Sequence, residues 1–172
     1  MLKETPGGKA FEVWNEYGQN PHGSKLDVGG GGFCPDYPQP EWQSAAVAGY
    51  AETHPGLSAP QGQRAIPDVA SLATGLLIYR NGQEGRGGGC SATGPTMAAL
   101  IARINALNGF DAGFVNTIFY ANPSAFVDVT VGSNGLSEEK PGWPASKGWD
   151  PCTGLGVPKG KLLHKILGAL RA

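Results

Sequence analysis

The chain has 172 residues, of which 28 are glycine and 14 proline, and a formal net charge of −1. That length suits one domain with a real core, and an apolar content of 40% excludes a low-complexity disordered chain despite the glycine and proline. Near-neutral charge without a Lys/Arg cluster excludes a nucleic-acid footprint, and no apolar run approaches the roughly 18 residues of a membrane span.

The first residues, Met1 to Gly8, lack the apolar core of a secretory signal. Ala10–Tyr17 reads as a helix-like piece with Phe11 and Trp14 toward a core, and a polar turn follows over 18–23. Gly29–Gly32 is too flexible for a strand interior, and suits either a flexible loop or a wall against which another stretch of chain lies. Phe33 to Pro40 must be extended, because each proline disfavours helix in the residue before it. Pro40 then opens a short helix through Gln43, and 51–63 reads as loop. Leu76–Tyr79 is a strand, and Asn81-Gly82 carries the signal of a tight hairpin. The glycines of 85–89 leave the return strand short.

A helix follows. Met97, Leu100, Ile101, Ile104 and Leu107 share one face, Pro95 suits the first turn, and Asn108-Gly109 supplies the stop. Immediately before it stands Ser91, in the run Gly85 to Pro95. A serine at a helix N-terminus sits in a partly positive field among free N–H groups, a setting that activates a nucleophile and stabilises an oxyanion. The same position is the ordinary place of an N-cap, so both roles stand on this stretch alone. It is not the Gly-x-Ser-x-Gly elbow, since Thr93 stands two residues after the serine. Further on, Leu162, Leu163, Ile166, Leu167 and Leu170 form the stripe of an amphipathic C-terminal helix.

Asp128 and Asp150 lie in two glycine-rich, turn-rich segments about twenty residues apart. Irregular loops of this kind bind a hard cation such as Ca²⁺ through carboxylates and backbone carbonyls, here those of Val129, Ser146 and Gly148; each Asp can equally make a local turn. Asp68, between Pro67 and Val69, reads as a turn or packing residue rather than a catalytic acid. Cys34, Cys90 and Cys152 are odd in number and lack metal spacing; one disulfide plus a free thiol stays open. His22, His54 and His164 show no ligand spacing and read as surface residues.

Four segments, taken in order, carry a resemblance. They are Gly29–Phe33 with Pro38–Gln43, Arg64–Ala70, Gly88–Pro95, and Gly148–Gly156. At this spacing the chain, from about Phe11 to Leu170, resembles the C-terminal half of the catalytic domain of the sedolisin family, the serine-carboxyl peptidases. The resemblance implies an α/β, subtilisin-like fold with a parallel sheet between helices, here incomplete, in a single partial peptidase domain over 1–172. It implies that Ser91 is the nucleophile, and that one Ca²⁺ is held by the side chains of Asp128 and Asp150 with carbonyls of Val129, Ser146 and Gly148. It implies an acid-acting endopeptidase or tripeptidyl-peptidase on protein or peptide substrates, secreted, with a Glu as base, a supporting Asp and an oxyanion Asp.

Those three acids belong to the family's N-terminal half, which this chain does not match. Glu12 and Glu16, at i, i+4 spacing, fall in a segment matching the family's later region and take no such role. Cys90 stands where the family has Thr, a weaker hydrogen-bonding group beside the serine. The expectation is therefore a fragment that needs a missing N-terminal half as partner and is inactive alone. The alternative is a non-catalytic calcium- or peptide-binding remnant. Neither nucleic acid nor membrane is an expected partner.

Overall fold

The computed structural model describes residues 2–4, 10–17, 27–57 and 60–171. The turn expected over 18–23 and His22 lie outside them. Strand β1 (Leu2–Glu4) pairs antiparallel with β2 (Phe11–Val13), with Leu2 opposite Val13. Ala10–Tyr17 is therefore not a helix: Phe11–Val13 is a strand, and Asn15 bridges to Val28. β-branched Val13 beside aromatic Phe11 favours the pleated surface, and Val13 is buried there, so tertiary pairing overrides the helical spacing of Phe11 and Trp14.

Strand β3 (Gly32–Pro38) is extended as its prolines require, and pairs antiparallel with β4 (Gln63–Ile66). The glycines ahead of it are a wall. A Cβ on Gly31 would overlap the carbonyl oxygen of Pro151, so the backbone here lies directly on the 146–156 segment. Pro40 is extended and caps a 3-10 turn (Glu41–Gln43) that runs into helix α1 (Ser44–Thr53). The loop expected over 51–63 thus loses its first residues to α1, in which Val47 and Tyr50 are buried in the core.

Strands β5 (Leu76–Arg80) and β6 (Gln83–Gly87) form the hairpin expected at Asn81-Gly82, where Asn81 adopts φ 52° and Gly82 φ 76°. A 3-10 turn (Cys90–Ala92) leads into helix α2 (Thr93–Asn108), and Gly109 ends it in the left-handed conformation at φ 73°. Helix α3 (Asn116–Ala121), strand β7 (Phe126–Val127), strand β8 (Val157–Pro158) and helix α4 (Gly160–Gly168) complete the order.

Among the described residues the strands form four antiparallel two-stranded pairs, and the one parallel link is the isolated bridge Leu2–Leu72. The expected parallel sheet is absent from these pairings. A two-residue Asn-Gly connection forces β5 and β6 antiparallel, because parallel neighbours need a crossover of a dozen residues or more. The main core gathers Val47, Tyr50, Ile104, Phe119, Trp149 and Leu163 under α2 and α4, and a smaller one holds Leu2, Ala70 and Val129. Leu163 and Leu167 of the amphipathic stripe are fully buried, each contributing about 1.5–3 kcal/mol, whereas Leu170 is exposed. No described helix is long and apolar enough to cross a membrane.

Candidate active site

Ser91 is set by what precedes it. Strand β6 ends at Gly87, and Gly88 and Gly89 carry the chain over residues 73–74 before the 3-10 turn begins. A Cβ on Gly88 would overlap the carbonyl oxygen of Ala73, and the Gly89 N–H donates to that same oxygen at 2.6 Å. Gly89 has φ 110°, a conformation that L side chains rarely adopt. Ser91 then stands exposed in the turn before a 16-residue helix, at its partly positive end. Cys90 beside it is exposed as well, and all three cysteines are free, so the disulfide left open by the sequence is not formed.

A cavity of about 470 Å³ adjoins the glycine run, with Trp14, Glu16, Asp27, Thr74 and Arg86 among its walls. Sequence reasoning missed it, because the false helix over 10–17 hid the approach of Glu16 to Asp27, whose carbonyl accepts the Glu16 N–H at 2.7 Å. Glu12 lies on β2 and Glu16 beyond it, so the two do not share a helical face.

The second group of site residues lies around 146–156. Asp150 is fully buried. Its carboxylate accepts the N–H groups of Ser146 at 3.1 Å, Cys152 at 2.9 Å and Thr153 at 2.8 Å, and the Thr153 hydroxyl lies at 3.2 and 3.3 Å. Burial pushes its pKa up to about 6, against the lowering effect of those hydrogen bonds. Asp128, exposed just after β7, reaches the same loop through the Gly148 N–H at 2.9 Å. One short loop thus draws in two carboxylates that lie well apart in the chain, Asp128 and Asp150.

The donor set fits a hard cation. Among the described residues no Lys, Arg or His forms an ion pair with Asp128 or Asp150, and the carbonyls of Val129, Ser146 and Gly148 accept no hydrogen bond. The buried Ser146 Oγ also has no partner. Two carboxylates, one of them destabilised by burial, beside spare carbonyls are the oxygen-rich chemistry that Ca²⁺ takes. Among the described residues no three His, Cys, Asp or Glu side chains gather into a metal cluster. A site of two carboxylates and three carbonyls has a different make-up.

The serine turn and the acidic loop are joined by the segment 66–74. The Leu155 N–H donates to Asp68 O at 2.9 Å, the Ala70 N–H to Gly156 O at 3.0 Å, and Ala73 O holds Gly89. Asp68 anchors this segment as a packing residue. Its carboxylate receives Arg64 at 2.6 Å, Asn116 at 2.8 Å and the Tyr120 hydroxyl at 2.9 Å. Trp42 covers the cluster, with Tyr120 at 4.8 Å between ring centroids and the Arg64 guanidinium 5.1 Å from its ring. Burial, then the charge of Asp68, lifts the Tyr120 pKa above its ordinary value of 10.0. Of the histidines described, His54 stacks on Tyr50 at 4.4 Å and His164 is half-buried on α4.

This chain resembles known proteins over most of its length. It is 38% identical over 160 residues to kumamolisin of Bacillus sp. (strain MN-32), covering 90% of this chain and 27% of that protein. It is 35% identical over 167 residues to aorsin of Aspergillus oryzae, covering 86% and 25%. Tripeptidyl-peptidase sed1 of Aspergillus fumigatus matches at 38% over 151 residues, covering 75% and 23%. Among solved structures, Pseudomonas sedolisin, a serine-carboxyl proteinase complexed with two molecules of pseudo-iodotyrostatin, aligns with a TM-score of 0.79 and 33% identity. Its homologues are sedolisin-family peptidases.

No family model matches the chain. The match to the sedolisins is partial: the chain spans about a quarter of the length of the curated relatives above. The solved sedolisin covers 98% of this chain, and this chain covers 44% of it. The shared fold is that of sedolisin, with helices and strands in common.

Proposed function

We propose that this chain is the C-terminal, nucleophile-bearing part of the catalytic domain of a sedolisin-type serine peptidase. In this reading Ser91 Oγ attacks the scissile carbonyl carbon, and the hydroxyl proton passes to a Glu base that lies in the part of the domain not matched here. The tetrahedral oxyanion collapses to an acyl-serine as the protonated amine leaves, and water then releases the acid. The N-terminus of α2 places partial positive charge at the serine, and the clamp of Gly88 and Gly89 on Ala73 O fixes where that serine stands. A carboxylate base has its ordinary pKa near about 4, so the peptidase acts in acid. A secreted location and protein or peptide substrates follow from the same resemblance.

One Ca²⁺ is assigned to the Asp128 and Asp150 side chains and the carbonyls of Val129, Ser146 and Gly148. When bound, the ion neutralises the buried carboxylate and cross-links the end of β7 to the 146–150 loop. The observation that carries the reading is the convergence of both carboxylates on one loop, itself tied through residues 66–74 to the serine turn. The chain alone is inactive, since a serine without its base keeps little of the catalytic rate.

The test is hydrolysis of a denatured protein at pH about 4 by this chain joined to the unmatched portion of a sedolisin catalytic domain. The joined polypeptide cleaves, its Ser91→Ala variant does not, and the chain alone does not. A folded, calcium-binding joined polypeptide that fails to cleave would favour the alternative, a calcium- or peptide-binding remnant, for which the exposed Cys90 beside Ser91 is the departure from the family pattern.

A further inference from the structure

The cavity beside the glycine run has one strongly acidic wall. Asn15 bridges to Val28, so Glu16 and Asp27 stand opposite each other on adjacent extended segments, and the Glu16 N–H donates to the Asp27 carbonyl at 2.7 Å. Residues directly opposite in such a pair have Cβ atoms within about 5.5 Å. Both are half-buried and both line the cavity, so two carboxylates lie side by side there. Among the described residues the Glu16 side chain takes part in no ion pair. Another wall is the backbone of Gly87–Gly89, with Arg86 beside it, exposed and donating to the Gly75 carbonyl at 3.2 Å.

A second observation is independent of those charges. Trp14, only 6% exposed, lines the same cavity, and its indole N–H has no hydrogen-bond partner. An indole nitrogen can only donate, and a buried donor left unpaired is costly until a carbonyl oxygen is brought to it. The volume of about 470 Å³ falls in the range of sites that enclose a small ligand. Gly89 stands two residues before Ser91. An extended chain advances about 3.3 Å per residue, so a peptide attacked at Ser91 reaches the cavity with a residue about two or three places from the scissile bond.

We propose that this cavity is a specificity site, in which Glu16 and Asp27 receive a Lys or Arg side chain of the substrate and the Trp14 indole N–H donates to a carbonyl of the substrate backbone. This rests on the peptidase reading and deepens it by naming the substrate class, peptides with a basic residue close to the cleaved bond. A bare metal ion fits the cavity less well, because a hard cation takes about six to eight oxygens and Arg86 lines the same space.

The experiment titrates this chain at neutral pH with the blocked peptide acetyl-Ala-Ala-Lys-Ala-Ala-amide and with its counterpart carrying Glu in place of Lys. Binding is read by calorimetry and tryptophan fluorescence for the wild type, Glu16→Gln, Glu16→Lys and Trp14→Phe, and circular dichroism melts establish that each is folded. The wild type is expected to bind the lysine peptide about tenfold more tightly than the glutamate peptide. Glu16→Gln narrows that ratio and Glu16→Lys abolishes it. Trp14→Phe weakens both peptides by about threefold to tenfold and leaves the ratio unchanged. A folded wild type that binds neither peptide, equal affinity for the two, or a lysine preference that survives Glu16→Lys would overturn the proposal. Cleavage by the chain joined to the unmatched portion of a sedolisin catalytic domain separates the two levels. If the joined polypeptide cleaves denatured protein with no enrichment of Lys or Arg near the cut bonds, the peptidase reading stands and the specificity site falls. If the chain binds the lysine peptide as expected and the joined polypeptide does not cleave, the cavity stands as a peptide-binding site and the peptidase reading falls.

Discussion

Replacing Asp68 should cost this chain a large share of its stability, because three donors converge on one carboxylate. Arg64, Asn116 and Tyr120 all point at it, and the side chains of Asp68 and Arg64 are only 21% and 17% exposed. Exposed ion pairs contribute at most about 1 kcal/mol, but breaking a largely buried pair costs about 3–5 kcal/mol. Hydrogen bonds to the charged group, at about 1.5–3 kcal/mol each, would sum to more than that if they were additive. They are not, because Arg64 keeps the Trp42 ring and the Ala65 carbonyl, and Tyr120 keeps the amide of Gln43. We therefore expect about 3–5 kcal/mol for Asp68→Ala. Asp68→Asn, which retains one acceptor but turns an N–H₂ toward incoming donors, should cost about 1–3 kcal/mol. Urea unfolding followed by tryptophan fluorescence reads the change directly, since Trp42 lies on the cluster and Trp149 Nε1 donates to Pro67 O at 2.9 Å. The midpoint should fall without a change in slope. A loss below about 1 kcal/mol for Asp68→Ala would refute the claim that this carboxylate anchors the segment between serine turn and acidic loop.

Gly88→Ala forces a methyl group into the Ala73 carbonyl and should destabilise by about 1–3 kcal/mol in the same assay; unchanged stability would remove the clamp on Ser91. Leu163→Ala, at a fully buried position of α4, should cost about 2–5 kcal/mol by thermal or urea unfolding. Tyr120 has its pKa raised by burial, so folding favours the neutral phenol. Its contribution is complete below the ordinary value of 10.0 and is lost as pH rises above it. Stability measured between pH about 9 and 11 should fall, and Tyr120→Phe should flatten that fall while lowering stability at neutral pH through loss of the bond to Asp68.

Local chemistry with one dominant cause was legible in the sequence. The Asn81-Gly82 hairpin, the Gly109 stop of α2, the extended run of prolines in β3 and the stripe of α4 all formed where turn geometry or periodicity required them. The 10–17 segment was not legible, because aromatic spacing suited to a helix is outweighed by pairing of Phe11–Val13 with β1. The parallel sheet that the resemblance implied is not among these pairings, since a strand's neighbour is a long-range property: only β5 and β6 join through a tight turn, while β3 meets β4 and β7 meets β8 across long stretches of chain. For the site, residue types and spacing suggested that Asp128 and Asp150 could meet, and the structure brings both to the 146–150 loop. Neither the Asp68 cluster nor the clamp of Gly88 on Ala73 shows in the sequence, because the fold alone brings Asn116 and Tyr120 to Asp68 and lays Gly88 on the Ala73 carbonyl.

The proposed Ca²⁺ site is open to direct measurement by titrating the chain with Ca²⁺ in a calorimeter, after treatment with a chelator, for the wild type and for Asp128→Asn and Asp150→Asn. One site is expected in the wild type, with a rise in melting temperature on binding, and loss or strong weakening of both effects in each variant. A folded wild type that binds no Ca²⁺, or binding that survives both substitutions, would contradict the proposed site.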